Sequence, residues 1–305
     1  MKFIKNRIIF YIFSLSLILA SLFFIFRFGI NMGIDLKGGS MLMVKFQDKR
    51  PNIESILEVL RDLNLNIICQ PIEEKGIILK MKDISQQTHQ EILKRLDNLS
   101  KINIETESFQ SIGPTIGKEL TKKTEIVIVL SVISILVYIT FAFQKISKPV
   151  PSFWYAISGT LALCHDVLIS VGFIVLLGKL YNVEFNIPII TALLTIFGYS
   201  INDTVVVFDR IRENLNKKTE KETFEEIIEK SIRQSFLRSF NTSFTTVLPL
   251  IFIYFLGGES LKYFALTLIL GISFGTYSSL FLAPQLVFNI FKKQEKQKVL
   301  TKKIK

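Results

Sequence analysis

Six stretches of this chain run for 18 residues or longer with almost no charged side chain. About 20 residues of α-helix cross roughly 30 Å of hydrocarbon. With no water at that depth, every backbone N–H and C=O must be bonded within the segment, so each run is expected to be a spanning helix. Ile8–Phe26, Ile126–Phe143, Ser239–Gly258 and Tyr263–Phe291 carry no charge at all. Val150–Leu177 carries only Asp166, beside His165, and Phe185–Phe208 carries only Asp203. Pro188, Pro249 and Pro284 fall inside these runs and are expected to kink them. The first run, behind Lys2, Lys5 and Arg7, has the charge pattern of a signal peptide. Its apolar stretch exceeds the usual 7–15 residues and no A-x-A site follows, so it reads as a retained anchor. A mean hydropathy of +0.41 with 49% apolar residues fits a membrane protein with a sizeable polar part, and excludes a disordered chain. Cys69 and Cys164 lie in segments of different character, and no zinc-ligand spacing exists.

The net charge of +11 is explained by topology. Three Lys/Arg precede the first span, two lie in the 144–149 loop, eight in the 209–238 loop and seven after Phe291. The two short loops on the opposite side hold only Lys179 and Lys262. This is the positive-inside pattern, which places both termini in the cytoplasm and residues 29–123 outside it. The domains expected are residues 1–28, an N-terminus with the first span; 29–123, an external domain; 124–291, a five-helix bundle with the 209–238 loop; and 292–305, a basic tail suited to anionic lipid. No groove-reading motif accompanies the charge, which argues against nucleic acid.

Residues 40–110 have a different texture. Ser40–Phe46, Ile67–Cys69, Ile77–Met81 and the Ile102, Ile104, Thr106 alternation read as strands. Asn52 and Ser85 stand where they can cap two helices, the first carrying Ile53, Ile56, Leu57, Leu60 and Leu63 on one side. The order βαββαβ predicts a ferredoxin-like α+β domain between the first and second spans. His89 reads as a solvated helix residue. No nucleophile–base constellation appears, so a binding or lever module is expected; the sheet edge offers itself for strand addition.

A carboxylate at the centre of a span costs at least about 2.5–3.5 kcal/mol and persists only if paired, protonated or facing water. Thr195, Tyr199, Asn202 and Asp203 are spaced to share one helix face, expected to point into the bundle. Asp166 lies mid-span, with Ser158, Ala162 and Ser170 at four-residue steps. Arg238 enters the fifth span, followed on its face by Thr242, Thr245, Thr246 and Pro249. It either snorkels to the surface or pairs with Asp203, and Arg233 competes for that pairing. Burial and a neighbouring Arg act on an Asp in opposite directions, so an acid held between them can exchange protons with each side in turn. One proton crossing about 100 mV releases roughly 2.3 kcal/mol. In the sixth span Gly271, Gly275, Ser279 and Ala283 form a small-residue stripe for close helix packing.

GIDLKGGS at 33–40, SIGPTIGKEL at 111–120, LCHDV at 163–167 and GYSINDTVVVFDRIREN at 198–214 resemble the SecF family, the smaller membrane subunit of the bacterial SecD–SecF protein-export complex in the RND superfamily. The resemblance covers nearly the whole chain. It implies an α-helical RND half-unit of six transmembrane helices, multi-pass in the cytoplasmic (inner) membrane, with a periplasmic ferredoxin-like domain. It implies SecD as partner, the SecYEG translocon with SecA, YajC and an insertase as associates, and an unfolded preprotein as substrate. Protons serve as the coupling ion, with no cofactor, no metal and no covalent chemistry, so the chain is not an enzyme in the ordinary sense. Asp203 and Arg238 match the family's proton-pathway pair. Asn202, Thr204, Asp166 and His165 join them as relay candidates, and Asp209, Arg210 and Arg212 as a cytoplasmic anchor. Gly33, Asp35, Gly38, Gly39, Gly113, Pro114 and Gly117 become junction residues. The rival expectations are a passive scaffold or insertion factor of the translocon and an RND-type exporter of small molecules or lipids. A scaffold should tolerate Asn at position 203; an exporter needs a second six-span half.

Overall fold

The structure, a computed structural model, describes residues 3–100, 104–144, 149–219 and 222–304. In chain order the elements are α1 (Arg7–Phe28), α2 (Ile34–Lys37), β1 (Gly39–Phe46), α3 (Ile53–Leu60), β2 (Ile68–Ile72), β3 (Gly76–Met81), α4 (Gln86–Ser100), β4 (Ile104–Ile112), α5 (Pro114–Ala142), α6 (Ser152–Tyr181), α7 (Ile187–Asn216), α8 (Phe224–Leu256), α9 (Glu259–Phe281) and α10 (Ala283–Ile304). They form two compact units, one of Met1–Asn31 with Ile126–Lys305 and the other of Met32–Glu125. Ile102, Lys145 and Lys148, named above for a strand and a basic loop, lie outside the described residues.

The first unit is helical, and among the described residues six helical runs are long and apolar enough to cross a membrane: α1, α5, α6, α7, α8 and the α9–α10 run. In α6 and α7 about half of the apolar window is buried (50% and 56%), against 11% in α1, 6% in α5 and 17% in α8. α6 and α7 are therefore central, and the apolar faces of α1, α5 and α8 turn outward. Missing Cβ atoms set how closely the helices approach. A Cβ on Gly172 of α6 would lie 2.4 Å from Ser21 Cβ of α1, and one on Gly271 of α9 would lie 2.1 Å from Ile196 Cδ1 of α7.

Of the three prolines, Pro188 departs from the expected kink. Pro188 sits in the first turn of α7, behind the Asn186 cap, where its missing N–H costs nothing. Pro284 lies in the first turn of α10, just after the break at Leu282, so the expected sixth span is two helices. Pro249 alone is inside a helix, α8.

Much of the expected 209–238 loop is helix. α7 continues to Asn216, and α8 starts at Phe224 with a capping box between Thr223 and Glu226. Phe224, Ile227, Ile228 and Ile232 bury one face of this added segment. Asn214 Nδ2 ties α7 to α8 by donating to Ser231 Oγ and Gln234 Oε1, both at 2.8 Å. The Glu229 carboxylate accepts the backbone N–H groups of Phe3 (3.0 Å) and Ile4 (3.1 Å), just ahead of α1.

The second unit is an antiparallel sheet of order β2-β3-β1-β4 with α3 and α4 over one face, which is the ferredoxin-like arrangement. Leu42, Val44 and Phe46 of β1 alternate inward with Ile77 and Leu79 of β3, against Ile56 and Leu60 of α3 and Ile92 and Leu96 of α4. Ser85 caps α4 through the Thr88 N–H at 3.3 Å; Asn52 precedes α3 without a side-chain cap bond. His89 is buried rather than solvated, its ring stacked on Phe109 at 4.0 Å. The reason is its register: His89, Ile92 and Leu96 fall on the sheet-facing side of α4.

Candidate functional site

Among the described residues, two carboxylates are enclosed in the helical unit. Asp203 of α7 is 6% exposed, and Asp166 of α6 is 0% exposed. Asp203 receives Ser239 Oγ of α8 on Oδ1 at 2.6 Å and Ser279 Oγ of α9 on Oδ2 at 3.0 Å. Asp166 receives Ser200 Oγ of α7 and Ser278 Oγ of α9 on Oδ2, each at 2.7 Å, while His165 Nδ1 lies 2.9 Å from Oδ1. Each acid thus collects hydroxyls from the neighbouring helices, which replace part of its lost hydration. A third polar contact continues the seam: Tyr199 O–H donates to Ser243 Oγ at 3.2 Å, and Ser243 is hydrogen-bonded to Thr276.

Arg238 is exposed and forms no ion pair with Asp203 among the described residues. The direct contact comes from the next residue, Ser239. Arg233 is turned to Glu229 instead, at 3.3 Å. Thr204 is buried and its Oγ1 donates back to the Ser200 carbonyl at 3.1 Å, beside the acids rather than on them. The expected inward face of α7 is rotated from its predicted position. Thr195 and Asn202 are exposed, and the buried polar residues at this level of α7 are Ser200, Asp203 and Thr204, with Asn214 three turns further on. Packing of α7 on α9 through Gly271 and Gly275 selects the side carrying Ile196 and Ser200. Asp209, Arg210 and Arg212 form local pairs on the last turns of α7: Arg212 with Asp209, and Arg210 with Glu213, both at 2.5 Å.

The junction residues come together in the sheet-containing unit. Gly33 precedes α2, and the buried Asp35 of α2 accepts Gln110 Nε2 of β4 at 3.4 Å. Gly38 and Gly39 take φ values of +81° and +140°. A Cβ on Gly38 would strike Pro114 Cα at 2.6 Å, and one on Gly117 would strike Gly38 N at 2.8 Å. The double glycine therefore lets the turn into β1 lie directly on the start of α5. Gly113 has open space around its Cβ position and needs no such freedom.

The donors Ser200, Ser239 and Ser278 did not stand out in the sequence, and Ser279 stood out only as a small packing residue. Their one signal is position: Ser278 and Ser279 are consecutive hydroxyls in an apolar span, Ser239 adjoins Arg238, and Ser200 is one turn from Asp203.

Residues 91–293 match the family described as "Protein export membrane protein SecD/SecF, C-terminal", and residues 23–49 match "SecD/SecF GG Motif". The protein translocase subunit SecF of Sebaldella termitidis is 39% identical over 312 residues, covering 99% of this chain and 96% of that protein. That of Thermobaculum terrenum is 35% identical over 298 residues, covering 93% and 92%. Among solved structures, SecDF of Thermus, a translocon-associated membrane protein, superposes with a TM-score of 0.81 at 31% identity. This chain is covered to 95%, but spans only 38% of that longer one.

Proposed function

The chain belongs to the SecF family of Sec protein translocase subunits, and from that premise we propose that it works with a SecD partner to turn proton-motive force into the late, outward movement of a preprotein, with Asp203 as the proton-binding group. The observation that carries this is the setting of Asp203. It is a nearly enclosed carboxylate held by two hydroxyls from two other helices, with no ion pair fixing it among the described residues. A close ion pair would favour the charged form of the acid. An acid held by hydroxyls can gain or lose its proton while its partners turn from donors to acceptors. Ser239 and Ser279 lie on α8 and α9, so each protonation change reaches both helices and offers a route to larger motion.

The outward face of α7 supports the need for a second half. Thr191, Thr195 and Asn202 recur at helical spacing and are exposed. The two threonines are satisfied by the carbonyls one turn back, Thr191 on Ile187 and Thr195 on Thr191. Asn202 has no such bond among the described residues, and a bare carboxamide facing lipid is unfavourable. A partner helix that accepts and donates there removes the cost. SecYEG with SecA, and YajC, are further associates in this reading, in the cytoplasmic membrane with both termini inside and residues 29–123 outside.

The test is export of a preprotein into inverted vesicles holding this chain and its SecD partner, with and without proton-motive force. Asp203→Asn is expected to assemble normally and to lose the force-dependent part of export. Normal assembly with undiminished force-dependent export would leave the scaffold reading in its place.

A further inference from the structure

Among the described residues Asp166 is the acid with no exposed surface at all, and no Lys or Arg pairs with it. An isolated negative charge so placed is balanced either by a proton on the carboxyl or by a proton on His165. His165 faces Asp166 with Nδ1, and its Nε2 is buried without a hydrogen-bond partner among the described residues. The imidazole ring lies 6.2 Å, centroid to centroid, from that of Tyr277, whose hydroxyl is held by Ser14 and by the Phe10 carbonyl of α1. Nε2 is therefore a buried nitrogen open to a proton, one atom group away from the acid.

Asp166 is joined to Asp203 through α9. Ser278 donates to Asp166 and Ser279, the next residue, donates to Asp203. Successive side chains on a helix diverge by about 100°, which is how one helix serves acids on two neighbours. α7 adds a second link, since it bears both Asp203 and the Ser200 hydroxyl that donates to Asp166. Gly275 permits the approach: a Cβ there would lie 3.2 Å from Ser200 Cβ and 3.6 Å from Asp166 Oδ2.

We propose that Asp166 with His165 is a second proton-binding site, and that the Ser278–Ser279 pair couples its occupancy to that of Asp203. The proposal rests on the reading of Asp203 as a proton-binding group and extends it. A charged carboxylate accepts a hydrogen bond from the serine O–H; a protonated one donates its own and needs the serine oxygen. The two hydroxyls share one stretch of backbone, so an adjustment of α9 that suits one acid displaces the donor of the other. The other ionisable groups on the helices around the pair, among the described residues, include Cys164 on α6, Asp203 and Tyr199 on α7, Tyr277 on α9 and, exposed at the entry of its span, Arg238 on α8. α1 brings Tyr11, which Asn289 of α10 holds at 2.8 Å, and no charge between Arg7 and Arg27. α10 brings no charge between Ala283 and Phe291.

The experiment is an infrared pH titration of the complex with its SecD partner in proteoliposomes, following the carbonyl stretch of protonated carboxyl groups. Asp203→Asn and Asp166→Asn assign one band each. Ser278→Ala is expected to shift the midpoints of both bands, that of Asp203 by about one pH unit, or tenfold in proton affinity. Ser278→Thr, which keeps the hydroxyl, is expected to restore both, and Asp166→Asn to move the Asp203 midpoint without touching its partners. A normal Asp203 titration that neither Ser278→Ala nor Asp166→Asn displaces overturns the coupling and leaves the relay standing. A wild-type Asp203 that does not titrate removes the relay and the coupling together.

Discussion

A carboxylate at membrane depth depends on the few donors that surround it. Asp166 and Asp203 were visible in the sequence because a charge inside an apolar run is costly, whether it serves as a relay or as a structural hydrogen-bonded acid. Their donors were not, since serine is common in spans and which hydroxyl meets which acid depends on helix neighbours far apart in the chain. Asn202 misled for a related reason: it adjoins Asp203, but a step of 100° turns it outward. Glycines separate in the same way, by what stands opposite. Gly172→Ala presses a methyl group into the Ser21 side chain and backbone, at 2.4–2.6 Å, whereas Gly198→Ala meets nothing within 4 Å. In thermal unfolding of the purified protein in detergent, Gly172→Ala is expected to lose about 1–3 kcal/mol and Gly198→Ala to stay near wild type.

Among the elements, the strands and helices of the sheet-containing unit were the most legible. Period-two alternation in β1 and β3 and the 3–4 spacing in α3 and α4 left little choice of fold. His89 was assigned to solvent because a single polar residue says nothing of its register until Ile92 and Leu96 are counted with it. The early start of α8 was hidden by charge: Lys and Glu dominate 217–230, and the apolar face of Phe224, Ile228 and Ile232 is sparse among them. The double glycine is an element-scale device, for it sets the turn into β1 against α5. Gly38→Ala, with φ at +81° and Pro114 Cα at 2.6 Å, is expected to cost about 2 kcal/mol or more. Gly113→Ala, with open space around it, is expected to cost little; protease sensitivity of the 33–120 region against temperature distinguishes the two.

At the scale of the whole molecule, orientation rests on the charge count, and Cys69 offers a direct test. It lies on β2, half-buried, and burial raises its thiol above the usual range. A membrane-impermeant maleimide is expected to label it in sealed right-side-out vesicles and not in inverted ones. Because only the thiolate reacts, labelling should be slow near neutrality and speed up as pH rises through the raised value. The reverse labelling pattern would invert the topology and place the basic loops outside. One dimension of the bundle has a mechanical meaning as well. α8 is a single helix of 33 residues, about 50 Å long against roughly 30 Å of hydrocarbon, and Ser239, its contact with Asp203, stands near its middle. Pro249 interrupts the hydrogen-bond ladder in the second half of α8, so the stiff arm is the first half. A tilt of about 5° at Ser239 carries the Phe224 end, roughly 22 Å away at 1.5 Å per residue, through about 2 Å. In the relay proposed above, a change in the length of one hydrogen bond at the pivot would thereby be felt where the helix begins, far from the acid itself.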